Sequence, residues 1–225
     1  MVERQLPKLN VVGSNPIARS DWNVKISLVD RLPHKQHVVG SNPTIPTKVP
    51  TSSNEEQMIL ALDVQYDQNT ARVAGVWFDR WDATVPVGTT TLTVMNIEPY
   101  VSGEFYRREL PCLKALISSL DWTPEVIVVD GYVWLADGKS GLGHYLYQDV
   151  QVPVVGVAKT SFSNAPHLET QRGSNGNGGF AKPLYVTTVQ MDADEAVEAI
   201  NSMAGVNRIP TLLKLVDSLA RGRDL

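Results

Sequence analysis

Two runs of the chain, Met58-Ile-Leu-Ala-Leu-Asp-Val-Gln-Tyr66 and Val126-Ile-Val-Val-Asp-Gly131, each set an aspartate against an apolar stretch. Runs this apolar suit central strands buried on both faces of a sheet. An ionised carboxylate is costly there unless it is paired or binds a metal. Asp63 in the first run and Asp130 in the second therefore point to a divalent-metal site. A third acid, Glu109, lies in Pro99-Tyr-Val-Ser-Gly-Glu-Phe-Tyr-Arg-Arg-Glu-Leu-Pro111. It precedes Leu113 and Leu116 at helical spacing, so a continuous helix would turn it toward the sheet. Convergence of the three would suit Mg²⁺ or Mn²⁺, which prefer hard oxygen ligands.

The surrounding pattern is α/β. Strands are expected over about 58–66, 71–79 and 90–97, the first two forming a hairpin through Asp67-Gln-Asn-Thr70. A helix over about 104–120 carries Leu113, Leu116, Ile117 and Leu120 on one face, with Pro111 either kinking it or starting its regular part. A strand (125–130), a short helix (141–149), a strand (153–158) and, beyond the Gly/Asn-rich run 173–179, a strand (184–189) follow. Asp192-Ala-Asp-Glu195 reads as a capping box for a helix that stops near Gly205, and a last helix runs from Pro210 to about Ala220. The expected fold is a mixed sheet of about five to six strands, the first antiparallel and the rest parallel, with helices on both faces. Ligands in such sheets bind where the strands end.

A formal charge of -4 over 225 residues gives no global attraction to nucleic acid, so a polyanionic partner would need a local basic groove. The single cysteine, Cys112, excludes an intrachain disulfide and a multi-cysteine zinc site, and is expected in the core. No apolar stretch is long enough to span a bilayer and no basic segment precedes an apolar one at the amino terminus. A cytoplasmic monomer without membrane contact is expected. The run 173–179 lacks the Lys-Ser/Thr of a phosphate-binding loop and reads as a flexible connection. His144 reads as a surface or internally satisfied residue, and His167 falls in a loop and carries no case for a role.

Residues 1–57 are of a different character: rich in Pro, Ser and Asn, without sustained periodicity, and carrying Val-Val-Gly-Ser-Asn-Pro twice, at 11–16 and 38–43. Gly-Ser-Asn-Pro can be encoded by GGT-TCG-AAT-CCN, which looks like the T-arm of a transfer-RNA gene, and the repeat period would suit tandem genes of that kind. This segment is expected to be either a disordered tail or read-through of upstream DNA, with translation starting at Met58 and the folded domain spanning 58–225.

Several segments together resemble endonuclease V. They are Asp63-Val-Gln-Tyr66, Pro99-Tyr-Val through Arg108-Glu-Leu-Pro111, Val128-Val-Asp-Gly131, Gly141-Leu-Gly, Val152-Pro-Val-Val-Gly-Val-Ala-Lys159 and Ile209-Pro through Asp217, in that family's order over essentially 58–221. The resemblance implies a ribonuclease H-like fold and a Mg²⁺-dependent cut (Mn²⁺ substituting) in DNA or RNA near a deaminated base, chiefly hypoxanthine (inosine). It implies Asp63 and Asp130 as metal ligands, Glu109 as a ligand or an orienter of water, and Asp217 near the metal from the terminal helix. It places Lys159 beside the scissile phosphate, Tyr100 in the wedge that separates strands, and Gly131 against nucleic acid. Three departures stand out. Ala136-Asp-Gly138 occupies the region of the family's His-Pro-Arg, His144 falls one place before a family histidine, and Ser102 replaces the proline of the wedge. The metal core thus matches better than the lesion-recognition elements. A weakly active or binding-only relative, or a ribonuclease H-like nuclease with another target, is the alternative.

Overall fold

Residues 58–95, 97–99, 101–174, 179 and 181–223 are described by the computed structural model. The expectations for residues 1–57, for the centre of the Gly/Asn-rich run and for Tyr100 lie outside these.

β1 (Ile59–Asp67) and β2 (Thr70–Phe78) pair antiparallel down to Asp67–Thr70, so Gln68 and Asn69 alone make the turn, with Gln68 at φ 48°. β3 (Gly88–Met95) extends this meander at the sheet edge. α1 (Phe105–Ser118) then carries the chain across to β4 (Val126–Asp130), parallel to β1, and α2 (Leu142–Val150) carries it to β5 (Val154–Ala158), parallel to β4. β6 (Leu168–Glu169) and β7 (Tyr185–Val189) complete a seven-stranded sheet of order β3-β2-β1-β4-β5-β7-β6. α3 (Ala193–Ser202) and α4 (Thr211–Ala220) follow.

Side-chain alternation sorts the core into two layers. Leu60, Leu62, Ile127 and Val129 face α1 and α2 and meet Leu113, Leu116 and Leu146. Ile59, Ala61, Val128 and Val155 face α3 and α4 and meet Ile200, Leu212 and Val216. Cys112 is free and buried in the first layer, as its composition context suggested. Pro111 lies inside α1 on its exposed side rather than at its start. Asp192 caps α3, accepting from the N–H groups of Asp194 and Glu195 at 3.0 and 3.1 Å.

The expected strand directions hold only as far as β5. β7 runs antiparallel to β5, and the short β6 adds a strand beyond the five or six expected. The connection explains the reversal. A parallel return needs a crossover, usually helical, and no helix is described between Ala158 and Tyr185. The chain instead returns without one among the described residues, and Ala181 N–H donates to Gly173 O on the way.

Candidate active site

The parallel ladder of β1 and β4 ends with Leu62 opposite Val129, so the next step along each strand sets Asp63 beside Asp130. α4 packs on the α3/α4 face of β1 and brings Asp217 to the same place. One carboxylate oxygen from each of Asp63, Asp130 and Asp217 lies within 4.8 Å of the others. Lys159, the first residue past β5, spans two of them: its Nζ is 2.6 Å from Asp130 Oδ2 and 3.4 Å from Asp217 Oδ1. One helical turn beyond Asp217, Arg221 grips both its oxygens at 2.9 and 3.1 Å.

Glu109 comes from the opposite face of the sheet, on α1. It is 5% exposed, its Oε2 is buried with no hydrogen-bond partner among the described residues, and it lines one cavity with Asp63, Asp130 and Lys159. It stands outside the group of three carboxylates that share one centre, so the trio expected from the strands is completed by Asp217 rather than Glu109. The reason is geometric: Asp63 faces the layer that holds α4, whereas Glu109 reaches the strand ends from the other layer.

Electrostatics separate the acids. Burial, then the Asp130 charge, pushes Asp63 up to about 7 against the opposing Val64 N–H bond and Lys159. Burial, with Asp63 and Asp130 nearby, raises Glu109 well above the carboxylate range. Arg221 holds Asp217 below it. Burial pulls the Lys159 ammonium down, but the bond to Asp130 and the surrounding carboxylates outweigh that and leave it above the lysine range. An all-oxygen donor set drawn from three elements, beside an orphaned buried Glu109 oxygen, fits a hard divalent cation held by Asp63, Asp130 and Asp217.

The cavity beside these groups has a volume of about 390 Å³, with Phe105, Tyr132 and Phe162 also in its lining. Gly131 sits at its edge with φ 141°, and a Cβ there would meet nothing within 4 Å. A second, more apolar cavity of about 270 Å³ lies toward α4, with Ile209, Leu213, Lys214 and Arg221 in its lining. Lys159, Lys214 and Arg221 share this cavity with Asp63, Asp130 and Asp217, and Lys159 and Arg221 are already paired with those carboxylates. Lys214 and Arg221 flank Asp217 at three and four residues, a helical spacing that could have singled them out. His144 takes no part: its Nδ1 lies 2.8 Å from Ser140 Oγ and its ring packs on Trp134. His167 is likewise engaged elsewhere, with Nδ1 2.8 Å from Ala165 O.

The sequence profile of the family described as Endonuclease V matches residues 45–179. The chain is 30% identical to Endonuclease V of Streptomyces avermitilis, over 72% of this chain and 79% of that protein. The crystal structure of the S. avermitilis endonuclease V superposes with a TM-score of 0.61 at 26% identity, covering 73% of this chain and 80% of that one. Ciona intestinalis endonuclease V, solved in complex with a 24mer DNA containing an inosine followed by a ribo-adenosine, has a TM-score of 0.59 at 18% identity, over 76% and 87% of the two chains. The fold class is ribonuclease H-like α/β, its two layers of helices enclosing a mixed sheet. Within that class, the chain belongs to the endonuclease V family.

Proposed function

We propose that this protein is a divalent-metal-dependent endonuclease that hydrolyses a phosphodiester near a deaminated base, inosine above all, in DNA or RNA. The observation that carries the reading is the meeting of Asp63, Asp130 and Asp217 within 4.8 Å, with Lys159 spanning two of them. Family membership and the inosine-containing DNA in the Ciona complex support the substrate class.

A Mg²⁺ or Mn²⁺ ion held by the three aspartates would supply Lewis-acid activation of water and charge neutralisation at the phosphate. The chain's own groups do the rest. Lys159, already poised among the carboxylates, offers a fixed positive charge to a phosphoryl oxygen in the transition state. Glu109, buried and raised in pKa, orients the attacking water or takes its proton. The 390 Å³ cavity bounded by Phe105, Tyr132 and Phe162 offers apolar and aromatic surface to a base turned out of its strand. Extrusion costs a few kcal/mol, least for a poorly paired base, which favours hypoxanthine. Tyr100 is assigned to the wedge and Gly131 to the nucleic-acid side of the cavity by the family pattern.

Nicking of inosine-containing DNA and RNA strands, measured with Mg²⁺, Mn²⁺ or EDTA, tests this directly. Metal-dependent cleavage is expected, and Asp63→Asn or Asp130→Asn should lower it by about a thousandfold or more while circular dichroism stays unchanged. A variant that cut as fast as the parent would remove the metal-site assignment. The Ala136–Gly138 turn brings neither an imidazole nor a guanidinium where the family carries His-Pro-Arg. Retention of the strand without product, in a gel with and without metal, would therefore favour a binding-only relative.

A further inference from the structure

β5 pairs with β7 only as far as Ala158 opposite Tyr185. Lys159 is the first residue past that ladder, so its carbonyl needs a partner from elsewhere, and its backbone determines where its ammonium stands. The partner is the Arg208 guanidinium, whose Nη2 donates to Lys159 O and, at 2.8 Å, to Pro183 O just before β7. The next turn is pinned independently: Tyr132 Oη donates to Thr160 O at 3.0 Å and accepts from Phe162 N–H at 3.0 Å. Arg208 itself stands just ahead of Ile209-Pro210 and the α4 helix that carries Asp217, with its backbone packed against Gly173, where a Cβ would come to 2.7 Å. One guanidinium nitrogen therefore ties the end of β5 to the approach to β7.

We propose that Arg208 is the positioning residue for Lys159, holding its backbone so that the ammonium meets the Asp130–Asp217 pair; the inference rests on the nuclease reading given above. Arg208 contacts neither carboxylate and reaches the chemistry only through Lys159. A lysine replaces it only in part, because its ammonium stands one bond closer to the backbone than Nη2 and reaches the two carbonyls less fully. The half-buried guanidinium accepts a cost for this arrangement, since its Nε is buried without a partner among the described residues.

Arg208→Ala and Arg208→Lys, each alone and combined with Lys159→Ala, test the assignment. With inosine-containing strands and saturating Mg²⁺, Arg208→Ala should lower kcat by roughly ten- to a hundredfold, the scale of a small misplacement, with KM little changed. Arg208→Lys should recover only part of the loss. In the Lys159→Ala background the Arg208 change should cost nothing further. The second readout needs no catalysis: labelling of metal-free protein with an amine-reactive reagent, followed by mass spectrometry, should modify Lys159 faster in Arg208→Ala than in the parent, other lysines being unaffected. Unchanged kcat, an equal loss in the Lys159→Ala background, or unchanged labelling of Lys159 would each overturn the proposal. If the parent itself fails to cut, the nuclease reading falls while labelling still reports whether Arg208 holds Lys159.

Discussion

At Asp63, burial and the charge of Asp130 both favour the protonated carboxyl, which is pushed up to about 7 from an ordinary value of 3.8. Between those values the folded chain keeps a proton that the unfolded chain has released. Metal-free stability should therefore fall as pH rises through that window, and Glu109 shifts in the same direction. A cation competes with these protons. Affinity for Mg²⁺ or Mn²⁺, measured by titration calorimetry, is expected to climb as pH approaches 7 and then level off. Affinity independent of pH across this range would show that Asp63 does not ligate. Asp63→Asn removes the buried charge, so at pH 8 the metal-free variant should melt above the parent, each kcal/mol gained being worth about 2–4 °C. The same variant should lose its response to metal, setting stability against activity at one side chain.

On α4, Lys214, Asp217 and Arg221 share a face, so this helix brings basic charge and a carboxylate to one groove. Lys214→Ala should weaken binding of inosine-containing and unmodified strands alike, and reduce the slope of log affinity against log salt by about 1. A change confined to inosine strands would place Lys214 in base recognition instead. Much of this helix was legible beforehand, since its span from Pro210 to Ala220 follows from periodicity. Which acid joins Asp63 and Asp130 was not, because it depends on distances between layers, and spacing along the chain treats Glu109 and Asp217 alike. Strand direction was hidden for a related reason. Tyr185-Val-Thr-Thr-Val189 has the same pattern whichever way it runs, and the fold of the preceding connection decides. Arg208 left no local signal, since its partners Lys159 and Pro183 are distant in sequence and are backbone carbonyls that no residue pattern reports.

For the molecule as a whole, the site lies where both helical layers meet the strand ends, so core packing sets how much of the chain carries an assembled site. Leu116 is fully buried against the sheet, and Leu116→Ala should cost about 2–5 kcal/mol of stability in a denaturant titration, with turnover of the surviving folded fraction kept. Saturating Mg²⁺ should raise the melting temperature of the parent, as any ligand of the native state does, and leave Asp130→Asn unmoved. Gly156 shows how closely neighbouring strands are drawn: a Cβ there would approach Gly131 O to 2.6 Å, so β5, just before Lys159, lies tight against the turn that follows Asp130. The origin of the three aspartates in β1, β4 and α4 has a further effect during synthesis. Domains emerge from the ribosome amino end first, so a nascent chain acquires Asp63 and Asp130 well before Asp217. Until that last helix docks, the growing polypeptide lacks the third member of the acidic group.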